Sequence, residues 1–439
     1  MRLQTRTNSH VSYEPVLLGH FMESSLPAPQ SPQLITKSPE FKYTTTPDSF
    51  AMASPSDSVA EDAASIESQD AISQVSNLAQ LSLDDNAESQ EYERGAQKAV
   101  RAYLLQHVEE FRHLQEMRTK GWESTEGDAH FNKQRQSVDN ISDRDARFFY
   151  GMMQRICKDL DDATRAFDLS SIQKPAVLDM CMAPGGFIAQ VLKKHPEAQI
   201  RAMTLPVQDG GHKVLMKKKS VQVESRDITT LAGDMGLRED DIPSSFPDTE
   251  SFQFKKIFAA DERFNLVCCD GAVLRTHQRP AWREPREATR LTLTQLALGL
   301  EHLSVGGTMV VLLHKLDSWR CFDLIHKLSK FSNVQVFKHP KGHKVRSSFY
   351  LVAKNIRSTS TLAEEAITKW KKLYKVATLG TDEEYAKMLQ VSGKLAEAAL
   401  EEFGEKFVAL GRPVWKIQAN ALENASFIKK QAKKNKVEE

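Results

Sequence analysis

The sequence predicts an open α/β sheet that is mainly parallel, with helices on both of its faces. Two observations predict it: seven apolar strand candidates alternate with helical stretches, and a Pro-Gly-Gly turn follows the first of them. The strand candidates are residues 176–180, 199–205, 221–224, 264–269, 308–314, 333–338 and 348–353. The helices between them are expected near residues 186–195, 212–218, 286–303 and 318–331.

The last two strand candidates are joined by residues 339–347 alone. A parallel pair needs a crossover of about a dozen residues or more, usually a helix. We therefore expect the last strand to be antiparallel to its neighbour.

Helical periodicity continues on both sides of the predicted sheet. Apolar residues recur every three or four positions over residues 91–122 and again over 143–167. Beyond about residue 356 the sequence is helical throughout, with helices expected near 382–410 and 415–433. The expected organisation is a tail over 1–90, a helical extension over 91–141, the sheet domain over 142–356 and a second helical extension over 357–439.

The first 90 residues are acidic and poor in periodic apolar patterns. They contain 29 Ser, Thr or Pro residues and one Gly, with four Lys or Arg against twelve Asp or Glu. Such a segment cannot bury enough apolar surface to offset its ordering entropy, so we expect a disordered, solvated tail. Its candidate phosphorylation sites are the Ser-Pro and Thr-Pro steps at Ser31, Ser38, Thr46 and Ser54.

Charge and composition narrow the class of protein. The net charge is +1, so the acidic tail is balanced by a basic remainder, which is compatible with a polyanionic partner. A mean hydropathy of −0.45 without a long apolar run predicts no membrane segment, and the N-terminus lacks an apolar signal core. The five cysteines lack paired metal spacing, so we expect reduced thiols and no metal site. The expected location is cytoplasmic or nuclear; Arg2 and Arg6 before the first acid leave a mitochondrial alternative.

The stretch AVLDMCMAPGGFIAQVL, residues 176–192, is typical of a strand, a tight turn and a helix. Its glycine spacing matches neither the dinucleotide fingerprint nor the phosphate loop. The free N–H groups of a helix starting near Phe187 would favour a carboxylate, and Asp179 would favour an ammonium. An amino acid joined to a nucleoside, such as S-adenosylmethionine, has both groups. A tight turn without a ligand is the alternative.

Four motifs together resemble the FtsJ-like (RrmJ-type) RNA 2′-O-methyltransferases, over roughly residues 142–354. The motifs are DMCMAPGGF at 179–187, FNLVCCDGA at 264–272, GGTMVVLLHKLD at 306–317 and VRSSFYLVA at 345–353. The resemblance implies a Rossmann-like methyltransferase fold of seven strands with S-adenosyl-L-methionine as cofactor. It also implies methyl transfer to a ribose 2′-hydroxyl of RNA, without distinguishing ribosomal RNA, transfer RNA or an mRNA cap.

The resemblance also implies which residues bind the cofactor. Asp227 corresponds to the family's acid near the adenine. Thr204 stands where the family usually has an acid for the ribose hydroxyls, and a neutral partner gives a weaker hydrogen bond there. The residues implied around the methionine end are Asp179, Pro184, Gly185, Gly186 and Phe187, and Asp270 is a further cofactor-binding candidate.

The family's catalytic set is a Lys-Asp-Lys-Glu tetrad, and this sequence keeps half of it. Asp270 and Lys315 match the second and third members. Tyr150 stands at the position of the first Lys and Ser348 at the position of the Glu. Two hypotheses follow: a methyltransferase with an altered catalytic set, or a degenerate domain that binds cofactor or RNA without turnover.

Two basic loops are candidate RNA contacts. The loop KHPKGHKVR, residues 338–346, follows the sixth strand candidate, and RTHQRPAWREPR, residues 275–286, follows the fourth. Phosphate contacts from such loops would give salt-dependent affinity, and Trp282 could stack on a base. A solvated surface is the alternative for both. The candidate RNA-binding residues of the first loop are Lys338, Lys341, Lys344 and Arg346.

Overall fold

The computed structural model describes residues 94–122 and 142–429. Three sequence predictions lie outside these residues: the tail over 1–90 with its four candidate phosphorylation sites, the stretch 123–141 of the first extension, and the part beyond residue 429 of the helix expected near 415–433. The helix expected over 91–122 is described from Arg94 onwards.

The described residues form one seven-stranded sheet with the order β3-β2-β1-β4-β5-β7-β6. The pairs β1–β2, β2–β3, β1–β4 and β4–β5 are parallel, whereas β7 runs antiparallel to both β5 and β6. The predicted fold class and the antiparallel last strand are therefore confirmed. The strands are β1 Ala176–Asp179, β2 Gln199–Thr204, β3 Val221–Ser225, β4 Phe264–Cys269, β5 Leu303–Leu313, β6 Asn333–Phe337 and β7 Phe349–Ile356.

Nine helices of eight or more residues accompany this sheet in the described part of the chain. They are α1 Arg94–His107, α2 Glu109–Trp122, α3 Asp143–Thr164, α4 Gly186–Lys194, α5 Glu287–Glu301, α6 Trp319–Ser329, α7 Thr361–Leu379, α8 Asp382–Leu389 and α9 Gly393–Glu423. None of them has the length and apolarity that crossing a membrane requires.

The helices cover both faces of the sheet because alternate strand residues point to opposite sides. Val177 of β1 packs with α3 and α4 in one apolar core. Its neighbour Leu178 belongs to the second core, which is formed with α5, α6, α7 and the helices of both extensions. The extensions are thus continuous with the core of the sheet domain.

Three helix predictions are wrong. The helix expected near 382–410 ends at Leu389, and the next helix begins at Gly393. Residues 212–218 are not helical: the N–H of Leu215 bonds to the carbonyl of Pro184 at 3.0 Å, and Met216 is buried beside Gly185. Contacts with the glycine turn therefore replace the helical hydrogen bonds. The break expected between residues 410 and 415 is also absent, because α9 continues through Pro413 with Phe407 and Trp415 buried on either side.

The turn after β5 is held by the helical extensions. Arg118 of α2 makes a bidentate pair with Asp317, with nitrogen–oxygen distances of 3.0–3.2 Å. Gln97 of α1 donates to the Asp317 carbonyl at 3.0 Å and accepts from the N–H of Trp319 at 2.8 Å. Burial raises the pKa of Asp317, but the Arg118 guanidinium and its hydrogen bonds hold that pKa below the usual range.

Replacing Arg118 with Ala leaves Asp317 without its cation in a largely buried position. We expect the free energy of unfolding at pH 7 to fall by about 3 kcal/mol, measured by urea denaturation. The control is Arg412→Ala, which removes the more exposed pair between Arg412 and Glu110 and should cost under about 1 kcal/mol. Because the pKa of Asp317 is lowered in the folded state, the Arg118 effect should fade as the pH falls below about 4. Equal losses for the two variants would contradict this account.

Candidate active site

The Pro-Gly-Gly turn brings α4 close to the edge of the sheet. Gly185 has φ +101°, a left-handed conformation that favours glycine. A Cβ on Gly186 would lie 2.6 Å from the Cβ of Met153 and 2.8 Å from the carbonyl oxygen of Tyr150. The second glycine therefore permits the close packing of α4 on α3, and the N-terminus of α4 opens at the carboxyl end of β1.

A cavity lies at this carboxyl edge, where ligands bind in open α/β sheets. The glycine turn, the ends of β2 and β4, and the segment after β3 all contribute to its lining. The sequence-predicted residues that line it are Pro184, Gly186, Phe187, Thr204, Asp227, Asp270 and Ser348.

Two carboxylates lie at the ends of neighbouring strands beside this cavity. Asp179 ends β1 and is 1% exposed, whereas Asp270 directly follows β4 and is half-buried. Asp270 lines the cavity, and Asp179 lies behind that lining. Oδ1 of Asp179 accepts from the N–H of Cys181 at 3.1 Å. Oδ1 of Asp270 is buried without a hydrogen-bond partner among the described residues. Asp270, which lines the cavity, therefore has one carboxylate oxygen without a hydrogen-bond donor among the described residues.

Burial and mutual repulsion perturb both acids. Desolvation raises the pKa of Asp270 to about 7. Desolvation, and then the charge of Asp270, raise the pKa of Asp179 well above its usual value. A cation bound beside the pair would relieve this repulsion and lower both values.

The opposite end of the cavity is formed by the turn after β3. Oδ1 of Asp227 accepts from the N–H of Thr229 at 2.9 Å, and Oδ2 accepts from Arg283 at 2.5 Å. Arg283 also contacts Oε1 of Glu287 at 2.6 Å. The pKa of Glu287 is lowered to about 2: burial opposes ionisation, but Arg290 and Arg283 outweigh it.

Asp227, His277 and Glu287 place three potential metal ligands within 4.8 Å of one another. Arg283 pairs with both carboxylates and already supplies a positive charge between them. The group therefore has the organisation of a buried ionic network.

Thr204 lies between these two ends. It is 7% exposed at the end of β2, lines the cavity, and its carbonyl accepts from the N–H of Arg226 at 2.7 Å. A hydroxyl therefore occupies the strand end where the family usually has an acid.

A sequence model of the FtsJ-like methyltransferases matches residues 154–356, slightly less than half of the chain. This part of the chain is an FtsJ-like methyltransferase domain. Its match begins inside α3 and ends with β7, so it includes the cavity-lining elements from the glycine turn to β7 and excludes α1, α2 and α7 to α9.

Solved structures with a similar fold have low sequence identity to the chain. A ribosomal RNA methyltransferase structure from Plasmodium falciparum is 18% identical over 46% of this chain and 96% of that one, with a TM-score of 0.31. An O-methyltransferase family protein from Burkholderia thailandensis is 13% identical over 51% and 63%, with a TM-score of 0.28. TrmN from Thermus thermophilus is 12% identical over 46% and 48%, with a TM-score of 0.25. These similarities are too weak to identify a substrate, and no curated protein matches the sequence.

The four catalytic candidates occupy different positions. Asp270 and Ser348 line the cavity, whereas Tyr150 and Lys315 lie outside its lining. Lys315 has φ +51°, and its N–H bonds to the carbonyl of Ser347 at 3.2 Å, which ties the end of β5 to the residue before Ser348. Asp270 and Ser348 thus line the same cavity, and Lys315 is joined through its backbone to the residue before Ser348.

His314 and His343 lie in a basic cluster with Lys338 and Arg346, near the end of β5. His314 is half-buried, and the positive charges of Arg346, Lys338 and Lys315 add to desolvation in lowering its pKa to about 3. His343 lines the cavity, and burial together with Arg346 and Lys338 holds its pKa well below the usual value. Arg346 and Lys338 are therefore buried cations beside both histidines.

The cavity is also lined by residues that sequence reasoning missed, among them Phe149, His277 and His343. Phe149 precedes Tyr150 in an apolar run, so nothing in the sequence distinguished the residue facing the cavity from its neighbour. The two histidines lie in the basic loops 275–286 and 338–346, whose composition predicts phosphate contacts and not cavity-lining residues.

The structure separates the four candidate RNA-binding residues into two pairs. Lys341 and Lys344 are exposed, as the prediction requires. Lys338 is 4% exposed, and its Nζ donates to the carbonyls of His343, Arg346 and Ser348 at 2.6–3.1 Å. Arg346 is 5% exposed. The prediction that Lys338 and Arg346 contact RNA is wrong, because both side chains are buried and Lys338 bonds to the backbone of its own loop.

The second basic loop, residues 275–286, also turns most of its charge inwards. Arg279 pairs with Glu284, and Arg283 and Arg286 are buried. Trp282 packs against Phe246, with ring centroids 5.0 Å apart, and lies under the guanidinium of Arg290. Trp282 is half-buried, so these two contacts occupy part of the ring surface that base stacking would use.

Replacing Asp270 with Asn should stabilise the protein while removing the acidic acceptor. The raised pKa means that the folded state binds a proton that the unfolded chain releases near pH 4, so the free energy of unfolding of the unmodified protein falls as the pH rises from about 4 to 7. We expect the variant to be more stable by about 2–4 kcal/mol at pH 8, and by less at pH 5.5.

Urea denaturation at both pH values measures this difference. The matched control is Asp261→Asn, which changes an exposed acid and should alter stability by under about 0.5 kcal/mol. A less stable Asp270→Asn protein at pH 8 would contradict the unsatisfied acidic pair.

Proposed function

We propose that the chain is an S-adenosylmethionine-dependent methyltransferase that modifies a ribose 2′-hydroxyl of RNA. One observation carries the cofactor assignment: a desolvated acidic pair with an unsatisfied oxygen lies beside the N-terminus of α4, in a domain of the FtsJ-like methyltransferase family. The site therefore favours a cation and a carboxylate side by side, which are the charges of an amino acid.

The residues present fit that cofactor. Asp179 and Asp270 would hold its ammonium group, and the first N–H groups of α4 would hold its carboxylate. The turn Asp227–Thr229 at the other end of the cavity would receive the purine, with Thr204 between them for the ribose. Bound there, S-adenosylmethionine supplies a methyl group made electrophilic by its sulfonium.

The chain's own residues would then have to bind and activate the hydroxyl. A ribose 2′-hydroxyl is a poor nucleophile at neutral pH, so a nearby cation that stabilises its developing negative charge lowers the barrier. Lys315, with buried Arg346 in the same basic cluster, provides this positive charge beside the cavity wall. Ser348 and Tyr150 have hydroxyls in the places of the other two tetrad members, and Lys341 and Lys344 are exposed to meet RNA phosphates.

A second function, binding of cofactor or RNA without turnover, is favoured by two specific observations. Tyr150 and Ser348 replace the charged members of the family's tetrad, and Lys315 lies outside the residues that line the cavity. Both functions need the acidic pair, but only the first needs Lys315 to reach the acceptor.

Titration calorimetry and methyl transfer distinguish these functions. We expect S-adenosylmethionine to bind the full chain, and its labelled methyl group to enter cellular RNA in alkali-resistant dinucleotides, which report 2′-O-methylation. Lys315→Ala should lower that rate by about 100-fold or more with little change in cofactor affinity, whereas Lys330→Ala on the surface should not.

Three other outcomes would overturn part of the proposal. Binding without label transfer would support the second function and exclude the first. Label in alkali-sensitive products would exclude the ribose 2′-hydroxyl as acceptor. Absence of S-adenosylmethionine binding at high micromolar concentration would exclude the cofactor itself.

A further inference from the structure

The turn that forms the purine end of the cavity is held by a helix outside the family match. Oη of Tyr374 in α7 donates to the carbonyl of Thr229 at 2.6 Å. Tyr374 is completely buried, and it lies 18 residues beyond the last matched residue, Ile356. The C-terminal extension therefore reaches the backbone of the turn that also presents Asp227.

A second donor reaches the same carbonyl from the sheet domain. Arg290 of α5, which is 0% exposed, donates to the Thr229 carbonyl at 2.9 Å and to Oε2 of Glu287 at 2.7 Å. Its Nε donates to Oγ1 of Thr378, again in α7, at 3.2 Å. Helices α5 and α7 thus converge on one backbone oxygen.

This contact is transmitted directly to the acid at the purine end. The N–H of Thr229 donates to Oδ1 of Asp227, so the residue whose carbonyl is fixed on one side contacts the carboxylate through its preceding peptide unit. Arg283 fixes the other oxygen and joins it to Glu287. Two arginines balance two acids in this network, and a displacement of the Thr229 peptide would disturb all of its bonds.

We infer that Tyr374 is a positioning residue for the purine end of the cofactor site, and that the C-terminal extension is needed to complete that site. The inference rests on the proposed function, because it assumes that an adenine-containing cofactor occupies the cavity. Tyr374 acts by holding the Thr229 peptide so that Asp227 keeps its orientation towards the exocyclic amine of the base.

Helix α7 has other attachments that do not touch this turn. Lys375, next to Tyr374 in sequence, pairs with Asp241 at 2.9 Å and is half exposed. Lys375→Ala therefore weakens the attachment of α7 without removing the bond to Thr229. It is the matched control for Tyr374→Phe, which removes one hydroxyl and keeps the buried ring.

The experiment measures the dissociation constants of S-adenosylhomocysteine and S-inosylhomocysteine by titration calorimetry on the full chain. The second ligand has an oxygen in place of the exocyclic amine of adenine. We expect Tyr374→Phe to weaken S-adenosylhomocysteine binding by about 5–10-fold and to leave S-inosylhomocysteine nearly unchanged, so the discrimination between the two falls by the same factor. Lys375→Ala should change neither affinity, and the thermal midpoint of each variant verifies that it is folded.

The other outcomes are separable. Unchanged discrimination in Tyr374→Phe, whether both affinities fall together or neither falls, would overturn the positioning role and leave the proposed function standing. A loss of discrimination in Lys375→Ala as well would assign the effect to general docking of α7 and overturn the role of the Tyr374 hydroxyl. If the unmodified chain binds neither ligand, the proposed function fails together with this inference.

Discussion

The desolvation of two neighbouring carboxylates is the constraint on which the site depends. Asp179 ends β1 and Asp270 directly follows the adjacent parallel strand β4, so the sheet itself brings them together, with Asp179 buried and Asp270 half-buried. The arrangement destabilises the folded protein, because desolvation raises the pKa of each acid and one oxygen of Asp270 lacks a partner. A cationic ligand offsets the free energy needed to keep these desolvated carboxylates charged. The free-energy gain contributes to the affinity for that ligand.

The rest of the fold keeps this edge of the sheet rigid. The glycine pair lets α4 approach α3 and open its N-terminus beside the acids. The helical extensions then hold the two functional turns that the sheet leaves at its edge: Arg118 holds the turn after β5, and Tyr374 holds the turn after β3. Parts of the chain beyond the family match thus support the geometry of the matched domain.

The strands and the glycine turn could be predicted because their signals are local. Apolar runs, a short final connection and the motif at residues 179–187 each depend on neighbouring residues. The failures concern residues whose environment is set by distant segments. The sequence around Lys338 predicts a phosphate contact, but its Nζ donates to three backbone carbonyls within residues 343–348. Residues 212–218 are not helical, because the backbone of Leu215 bonds to Pro184 instead. Tyr374 lies in a helical stretch where its spacing predicts a core residue, and no sequence feature connects it with the turn at Asp227.

Proton release on ligand binding tests the acidic pair most directly. Calorimetry of S-adenosylhomocysteine in buffers of different ionisation enthalpy gives the number of protons exchanged at each pH. With the pKa of Asp270 at about 7 in the free protein, an ammonium bound beside it should release about one proton per ligand at pH 6 and almost none above pH 8. Asp270→Asn should lower that release, because the variant lacks the group whose pKa is about 7. Binding at pH 6 without proton release, or with the same release in Asp270→Asn, would contradict the account.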